Sequence, residues 1–480
     1  MKINFLRQLD KEHTRAQSQL YWGGFLLVSL LVVLVVFPSQ LFLQIGAVLS
    51  VLILFIGILP RLELGLYLLL AIGFFNGWEV ALIKYEWAKN LNYLASINAP
   101  LVDIVALVLL ACLAVALVFG QNHFDYRRLW FLLLPSILYG LFLSFALLSA
   151  WRVYDYSIMT SVKFWLRNMM FVFVAYVLMP GILIRRQEIL ERIIKIWHWV
   201  GLGVALFGLS SLLVVQQTGW HRVVPYGWGS FAPLGYNHNL IAEVLIATIP
   251  LAFYLFIKNR GRTGSDFYLA SLGLMILAEL LTLSRAGWLA LGLQVLIAIY
   301  IFRQSIKRFI SSQGRLAWLA LLGIFAVLGA YMGIFLTSSI VSSSTSSRLH
   351  AMDIVLFYSA RQPILGYGPG SYIPILLNTF DYTIEYGFPL EAHGFALKIL
   401  LEEGLLGLVL FGLFLLTVFL FLRQAYNKST GQTRLLAVAL LSMVAGAVFF
   451  QLFNTSYFSA VMWLPIGVAL AGAGLIINRY

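Results

Sequence analysis

Long apolar runs recur along almost the whole chain of 480 residues and constrain its fold more than any other feature. A helix of about 20 apolar residues crosses a bilayer core of about 30 Å. Backbone groups in lipid must satisfy their own hydrogen bonds, and unbroken runs without strand alternation indicate helices rather than a barrel. The sequence therefore predicts an all-α, polytopic transmembrane helix bundle with about 14 spans, at 21–37, 40–60, 62–78, 99–119, 129–149, 164–182, 196–215, 238–257, 267–284, 286–302, 317–337, 404–422, 433–452 and 457–477.

Charge and cysteine usage exclude several classes of protein. Hydrophobic residues make up 61% of the chain and charged residues only 11%, so a soluble protein is excluded. The net charge of +13 could suggest nucleic acid. However, a cytoplasmic N-terminus puts most Lys and Arg in cytoplasmic loops, as the positive-inside rule requires. We therefore expect no nucleic-acid partner. The lone Cys112 lies within a predicted span, which argues against a disulfide framework or a thiolate metal site.

Two segments decide the predicted organisation. The first apolar run follows basic residues, as in a signal peptide, but no small-residue cleavage site follows it, so we expect an uncleaved anchor. No repeat or soluble domain is visible, so residues 1–480 are expected to form a single integral membrane domain. Residues 338–396 form an aromatic loop of about 60 residues, too apolar for a disordered linker. We expect a folded extracytoplasmic cap, with a short helix over 349–360 capped by Ser-rich 342–347.

Arg285 is a candidate binding residue because it lies where a helix must end. Residues 267–302 as one helix would measure about 54 Å, well beyond a bilayer. The chain is therefore expected to turn at 284–287, on the extracytoplasmic side, with Arg285 at the membrane boundary. The alternative is an arginine that snorkels to the interface and anchors the helix end.

Other arginines are expected on the same side. Arg348 follows the serine run, and its guanidinium is always charged and matches phosphate oxygens with paired donors. Standing alone, it would be read as a solvated loop residue. Arg361 and Arg222 are weaker candidates of the same kind. Arg167, in the outer part of a span, either lines a cavity or snorkels.

His393 ends the long loop just before the next span. A neutral imidazole can take a proton from a hydroxyl near physiological pH, although a lone loop histidine is usually held by backbone hydrogen bonds. Glu402 and Glu403 either orient this residue or pair with Lys398, which is one helical turn before Glu402. Glu391 and His393 have no third ligand nearby, so the sequence predicts no metal site and no cofactor.

Four short motifs occur in order over residues 225–425. The first is Gly235-Tyr-Asn-His-Asn239, and the second is Leu283-Ser-Arg-Ala-Gly-Trp288. The third runs from Arg348 to Pro363, Gly366 and Gly368; the fourth is His393-Gly394, nine residues and Gly404-Leu-Leu-Gly407. The series resembles the bacterial O-antigen ligase and polymerase superfamily of membrane glycosyltransferases. Gly394 departs from that pattern, which has Asn, Ser or Gln there.

This resemblance implies a GT-C-like bundle that transfers a glycan from undecaprenyl diphosphate to an acceptor hydroxyl, with inversion and without a metal ion. Arg285 and Arg348 would bind the diphosphate, and His393 would act as general base. The remaining residues of the expected substrate site are Arg361, Arg222, Asn239, Arg167 and Tyr367. The expected partners are the carrier-linked glycan donor, a glycan or lipid-linked acceptor and the bilayer, at the extracytoplasmic face of the bacterial cytoplasmic (inner) membrane.

Two alternatives to an O-antigen ligase stay open. One is a polysaccharide polymerase of the same superfamily, and the other is a membrane transporter. Transporters tend to have broken helices and ionisable residues near the bilayer midplane, often in repeated halves. Here the unusual charges collect at one boundary, except for Glu243 and Glu279, which either mark a proton path or pair with boundary arginines. A structural scaffold would leave the arginines and the histidine unexplained.

Overall fold

The computed structural model describes most of the chain, in residues 40–75, 79–84, 96–119, 129–151, 158–216, 220–227, 232–312, 326, 329–387, 392–454 and 458–478. The predicted span 21–37 lies outside the described residues, and much of 317–337 does as well. Internal contacts divide the chain into two compact units, Met1–Phe124 and Asp125–Tyr480. The organisation as a single membrane domain therefore stays a prediction, and each unit is described by itself.

The described residues of the first unit form three helices and a strand pair. The order is α1 (Gln40–Ile58), α2 (Leu62–Ile72), β1 (Glu79–Lys84), β2 (Ser96–Pro100) and α3 (Leu101–Val118), with β1 and β2 antiparallel. Helix α2 packs against α3 through buried leucines and valines. It ends at Ile72, so it is shorter than the predicted span 62–78. At about 1.5 Å per residue, its 11 residues are too short to cross a bilayer.

The second unit contains the remaining helices. Helix α4 (Trp130–Ala150) comes first, and α5 (Ile158–Phe164) continues through π-helical Trp165–Phe171 and Val174–Leu178 into α6 (Met179–Leu183). The others are α7 (Gln187–Val214), α8 (His238–Lys258), α9 (Ser265–Leu281), α10 (Arg285–Ser312), α11 (Ser339–Arg361), α12 (Tyr372–Leu377), α13 (Phe380–Tyr386), α14 (Phe395–Glu402), α15 (Gly404–Lys428), α16 (Gly431–Gln451) and α17 (Ala460–Ile477).

Nine helical stretches in the described part of the chain are long and apolar enough to cross a membrane. They are Leu101–Val118, Trp130–Ala150, Ser161–Leu183, Gln187–Val214, His238–Lys258, Arg285–Arg303, Gly404–Lys428, Gly431–Gln451 and Ala460–Ile477. Each coincides with a predicted span. The all-α polytopic bundle that the apolar runs predicted is thereby confirmed.

Helices α8, α16 and α17 form the centre of the second unit. Helix α8 packs against α7, α9, α10 and α16, and α17 packs against α15 and α16. Helix α17 is apolar on all sides and almost wholly buried, as expected for a helix enclosed by others. An aromatic cluster around Tyr139 and Trp463 fills the space beside it.

The loop over 338–396 is folded, as predicted. Its helices α11, α12 and α13 enclose a core that includes Val355, Ile375 and Leu376. The helix prediction within it was wrong in length, because α11 begins at Ser339 and includes the serine run. These hydroxyls do not cap the helix. Instead Ser342, Thr345 and Ser347 donate to carbonyls three or four residues earlier in the same helix.

Backbone hydrogen bonds join two of the sequence motifs. The amides of Gly368 and Leu405 donate to the carbonyls of Glu402 and Pro363, with N–O distances of 2.7 Å in both cases. A Cβ on Gly366 would collide with the Glu402 carbonyl, and one on Gly404 with the Ile364 carbonyl. Both glycines also have positive φ. These motif glycines therefore hold the end of α11 against the α14–α15 junction.

Candidate functional site

The turn between α9 and α10 places Arg285 at the first position of a helix. Thr282 donates its hydroxyl to the Glu279 carbonyl, at 2.7 Å, and accepts from the Ser284 amide at 3.2 Å. Leu283 has a φ of 56°, which is rare for a residue with a branched side chain. The chain does turn here, but at 282–284 rather than at the predicted 284–287, and Arg285 follows the turn directly.

A side-chain hydrogen bond joins this turn to the start of α8. Ser284 is buried, and its hydroxyl donates to the Asn239 side-chain oxygen at 2.8 Å. The amide of Asn239 donates in turn to the Asn237 side chain, which caps α8. Asn239 therefore positions the Ser284–Arg285 turn, which gives it a structural role beside the predicted binding role.

The guanidinium of Arg285 reaches the serine run of α11. Its Nη1 donates to the Thr345 hydroxyl at 2.8 Å, and its Nη2 donates to Ser344 at 3.3 Å. Sequence reasoning missed both hydroxyls as partners. The available signal was their spacing, because residues three and four before Arg348 share its face of the helix.

Arg348 lies on that face, close to Arg285. Burial and the positive charge of Arg285 both lower the pKa of Arg348. Its Nε is buried and has no hydrogen-bond partner among the described residues. No carboxylate in the described part of the chain forms an ion pair with Arg285 or Arg348. Two guanidinium groups thus lie together, and no carboxylate among the described residues compensates their charge.

His393 lies beside the two arginines. Burial, then Arg348, then Arg285 lower its pKa to about 4, so the imidazole is neutral at neutral pH. Its Nδ1 is buried and makes no hydrogen bond to a described residue. Helix α14, which follows His393, packs against the arginine helix α11. The structure therefore brings the three predicted catalytic residues to one place.

Gly394 explains why this chain departs from the family pattern after the histidine. Its φ is 122°, a conformation that L-residues rarely adopt. Its amide donates to the Asn454 carbonyl at 3.1 Å, and a Cβ would collide with the Leu452 carbonyl. Asn, Ser or Gln would not fit this backbone. The glycine fixes the chain direction next to His393.

Arg222 and His238 belong to the same neighbourhood. The 220–227 segment is held against the end of α9 by the Val223 amide, which donates to the Leu281 carbonyl at 2.8 Å. Arg222 is half-buried, and burial lowers its pKa. The ring of His238 lies within the electrostatic range of Arg222, Arg348 and Arg285. His238 was not predicted as a site residue, although it lies within the first sequence motif.

The other predicted substrate residues lie elsewhere. Arg361 is 13 residues beyond Arg348 on α11, about 20 Å at 1.5 Å per residue, and stacks on Phe357 at 4.0 Å. Its charge acts on Tyr367, whose amide donates to the Leu401 carbonyl. Arg167 is exposed on the π-helical segment Trp165–Phe171. None of these residues is among the charges that act on His393 or His238.

Several buried acids lie in α8, α9 and α14, the helices that border the site. Lys398 and Glu402 are almost fully buried and form an ion pair at 3.5 Å, as their spacing predicted. Within the bundle, Glu243 accepts a hydrogen bond from Gln451. Glu279 is fully buried, and its carboxylate oxygens make no hydrogen bond among the described residues. The predicted pairing of Glu279 with a boundary arginine is therefore not seen.

Part of the chain matches a known family model. Residues 270–412 match the model described as O-antigen ligase. This region is similar to that family. The match supports membership of the superfamily that the motifs predicted. Arg285, Arg348 and His393 lie inside the matched region, whereas Arg222 and His238 precede it. A comparison with curated proteins found no match.

The O-antigen ligase match and the apolar helices support two broad statements. The chain is a multi-pass membrane protein, and the match supports an O-antigen ligase- or polymerase-like function. The match also supports a glycosyltransferase-type enzyme of O-antigen biosynthesis. Among the described residues, no group of three or more His, Cys, Asp or Glu side chains could hold a metal ion.

Proposed function

We propose that this protein transfers a glycan from undecaprenyl diphosphate to an acceptor hydroxyl at the extracytoplasmic face of the bacterial inner membrane. One observation carries the proposal: Arg285 and Arg348 lie together, without a carboxylate partner in the described chain, beside a neutral His393. Both arginines are partly buried, and removing two like charges from water costs free energy unless an anion compensates them. A membrane-resident diphosphate supplies that anion.

The chemistry assigned to the arginines is charge stabilisation. When the sugar C1–oxygen bond breaks, its electron pair stays on the diphosphate oxygen, whose negative charge grows. Guanidinium groups already in place stabilise that charge more in the transition state than in the ground state. Thr345 and Ser344 hold the Arg285 guanidinium through hydrogen bonds and so fix its direction.

The chemistry assigned to His393 is proton removal. The acceptor oxygen attacks C1 from the side opposite the diphosphate, and its proton passes to an imidazole nitrogen. Direct displacement of this kind inverts the anomeric carbon. A base with a pKa of about 4 is weak, but a bound diphosphate would offset the two arginines that lower this pKa. Substrate binding would therefore make His393 a stronger base.

The proposal is tested with purified full-length protein, a lipid-diphosphate glycan and a panel of candidate acceptors. We expect the wild type to extend one acceptor, and Arg285→Ala and Arg348→Ala to lose that activity while remaining folded. Arg262→Ala, an exposed arginine in the α8–α9 loop, is the matched control and should retain activity. Near-normal transfer by either site variant would overturn its role. The acceptor that is extended also separates ligation from polymerisation.

A further inference from the structure

The start of α8 holds a histidine next to the arginines. His238 is the first residue of α8 and lies between Asn237, which caps the helix, and Asn239. The side-chain oxygen of Asn239 accepts a hydrogen bond from the Ser284 hydroxyl at 2.8 Å, and Arg285 follows Ser284 in the chain. This sequence of contacts attaches the His238 backbone directly to the turn that presents Arg285.

The charges around His238 are the same as those around His393, with one addition. Arg348 and Arg285 act on both rings, and Arg222 acts on His238 as well. The Val223 hydrogen bond to Leu281 places Arg222 at the end of α9, where the same turn begins. Both imidazoles therefore lie within the electrostatic range of the same two arginines, and the proposed transfer reaction gives a role to only one of the imidazoles.

The charge of the leaving group changes during the proposed reaction. A glycan-linked diphosphate is a diester with about two negative charges, whereas the released diphosphate ends in a monoester that ionises further near neutral pH. Arg285 and Arg348 match the charge of the donor. The additional charge appears on the oxygen that was bound to the sugar. A further donor beside that oxygen would stabilise the leaving group selectively.

We propose that His238, with Arg222, binds the terminal phosphate of the leaving diphosphate. The ring donates one N–H to the oxygen released from the sugar, and Arg222 supplies the third positive charge. No proton is transferred in this contact, because the proton of the acceptor goes to His393. This assignment rests on the proposed function and makes His238 a binding residue for the leaving group.

The test compares two lipids that differ by one phosphate, undecaprenyl diphosphate and undecaprenyl monophosphate, bound to purified full-length protein in nanodiscs. For His238→Ala we expect the Kd for the diphosphate to rise about 10-fold, because one hydrogen bond to a charged group is lost. The Kd for the monophosphate should change less. In transfer assays kcat should fall more than KM rises. Arg222→Ala should show the same selectivity.

Conservative and matched variants separate binding from structure. His238→Asn, which keeps an N–H donor, should recover part of the diphosphate affinity, and His238→Phe should not. His350→Ala is the control, because His350 on α11 faces Glu385 and Tyr386 on α13. Equal diphosphate affinity in His238→Ala and wild type would overturn the proposal. So would equal losses for both lipids, or a recovery by Phe that matches Asn.

The same assays distinguish failure of this proposal from failure of the proposed function. If the wild type binds the diphosphate but transfers no glycan, the proposed reaction fails, and the diphosphate Kd of the His238 variants still decides the binding role. If the wild type binds the diphosphate and the monophosphate with equal Kd, both proposals fail. If the wild type transfers glycan while the His238 variants bind the diphosphate normally, only the present proposal fails.

Discussion

Two regions of the second unit bury positive charge in opposite ways. Lys398 is almost fully buried, pairs with Glu402 at 3.5 Å, and lies 4.6 to 5.7 Å from the ring centres of Phe164, Tyr372 and Phe458. Arg285 and Arg348 lie within range of each other's charge, and among the described residues Arg285 donates to the hydroxyls of Thr345 and Ser344. The charge of Lys398 is balanced within the protein, so this residue has a structural role. The two arginines have no such balance among the described residues, and a bound anion would supply it.

The largest expected effect follows from removing an unpaired arginine. Arg348→Ala should lower the rate of glycan transfer by about 10³-fold, because a preorganised charge is lost where negative charge develops. Arg348→Lys should recover only part of that loss, since lysine lacks the paired donors. The measurement is initial transfer rate per folded protein. Full rescue by lysine would mean that charge alone matters.

His393→Ala should lower the transfer rate by about 10²- to 10³-fold at neutral pH. The histidine is an active base only while neutral, so in the wild type kcat/KM should fall as the pH drops through about 4. The corresponding fall in kcat should occur at higher pH, because bound diphosphate raises the pKa. An unchanged profile in His393→Ala would show that another group takes the proton.

A substitution at Gly394 should have the next largest effect on glycan transfer. Gly394→Asn restores the residue typical of the family but places a Cβ against the Leu452 carbonyl at a positive φ. We expect transfer to fall about 10-fold, because even a small misplacement of His393 costs rate. Diphosphate affinity should stay close to wild type. An active variant with an unchanged unfolding temperature would show that this backbone relaxes freely.

The paired region should respond in stability rather than in chemistry. Lys398→Met leaves Glu402 buried without its cation and should cost about 3–5 kcal/mol of unfolding free energy. The double variant with Glu402→Gln should recover much of it. The measurements are thermal unfolding and transfer rate per folded molecule. A specific loss of transfer in the double variant would show that the pair also serves the reaction.

The smallest effect is expected for Arg361→Ala. Arg361 is exposed, stacks on Phe357 and lies about 20 Å along α11 from Arg348. Transfer should stay within about twofold of wild type, since an exposed cation–π contact is weak. A large loss in a transfer assay would place this arginine in the substrate path after all, as the sequence suggested.

Patterns local in sequence predicted the helices, the turn before Arg285 and a folded 338–396 segment. These features could be predicted because the length of an apolar run, compared with the thickness of a bilayer, shows where a helix must end. The sequence did not show that Ser344 and Thr345 would hold Arg285, because those contacts join residues about 60 positions apart. It also missed His238, whose neighbours come from three segments. The positive φ at Gly394 could not be predicted from the sequence either, apart from the fact that a glycine stands there.

The hydrogen bonds between the 363–368 turn and the α14–α15 junction join the end of the Arg348 helix to the end of the helix that follows His393. Arg348 and His393 therefore lie on two chain segments whose far ends are held together by main-chain atoms. One residue inserted into α11 after Arg348, or into α14 after His393, would rotate one of the two side chains away from the other. An insertion at the tip of the cap would leave this main-chain connection intact.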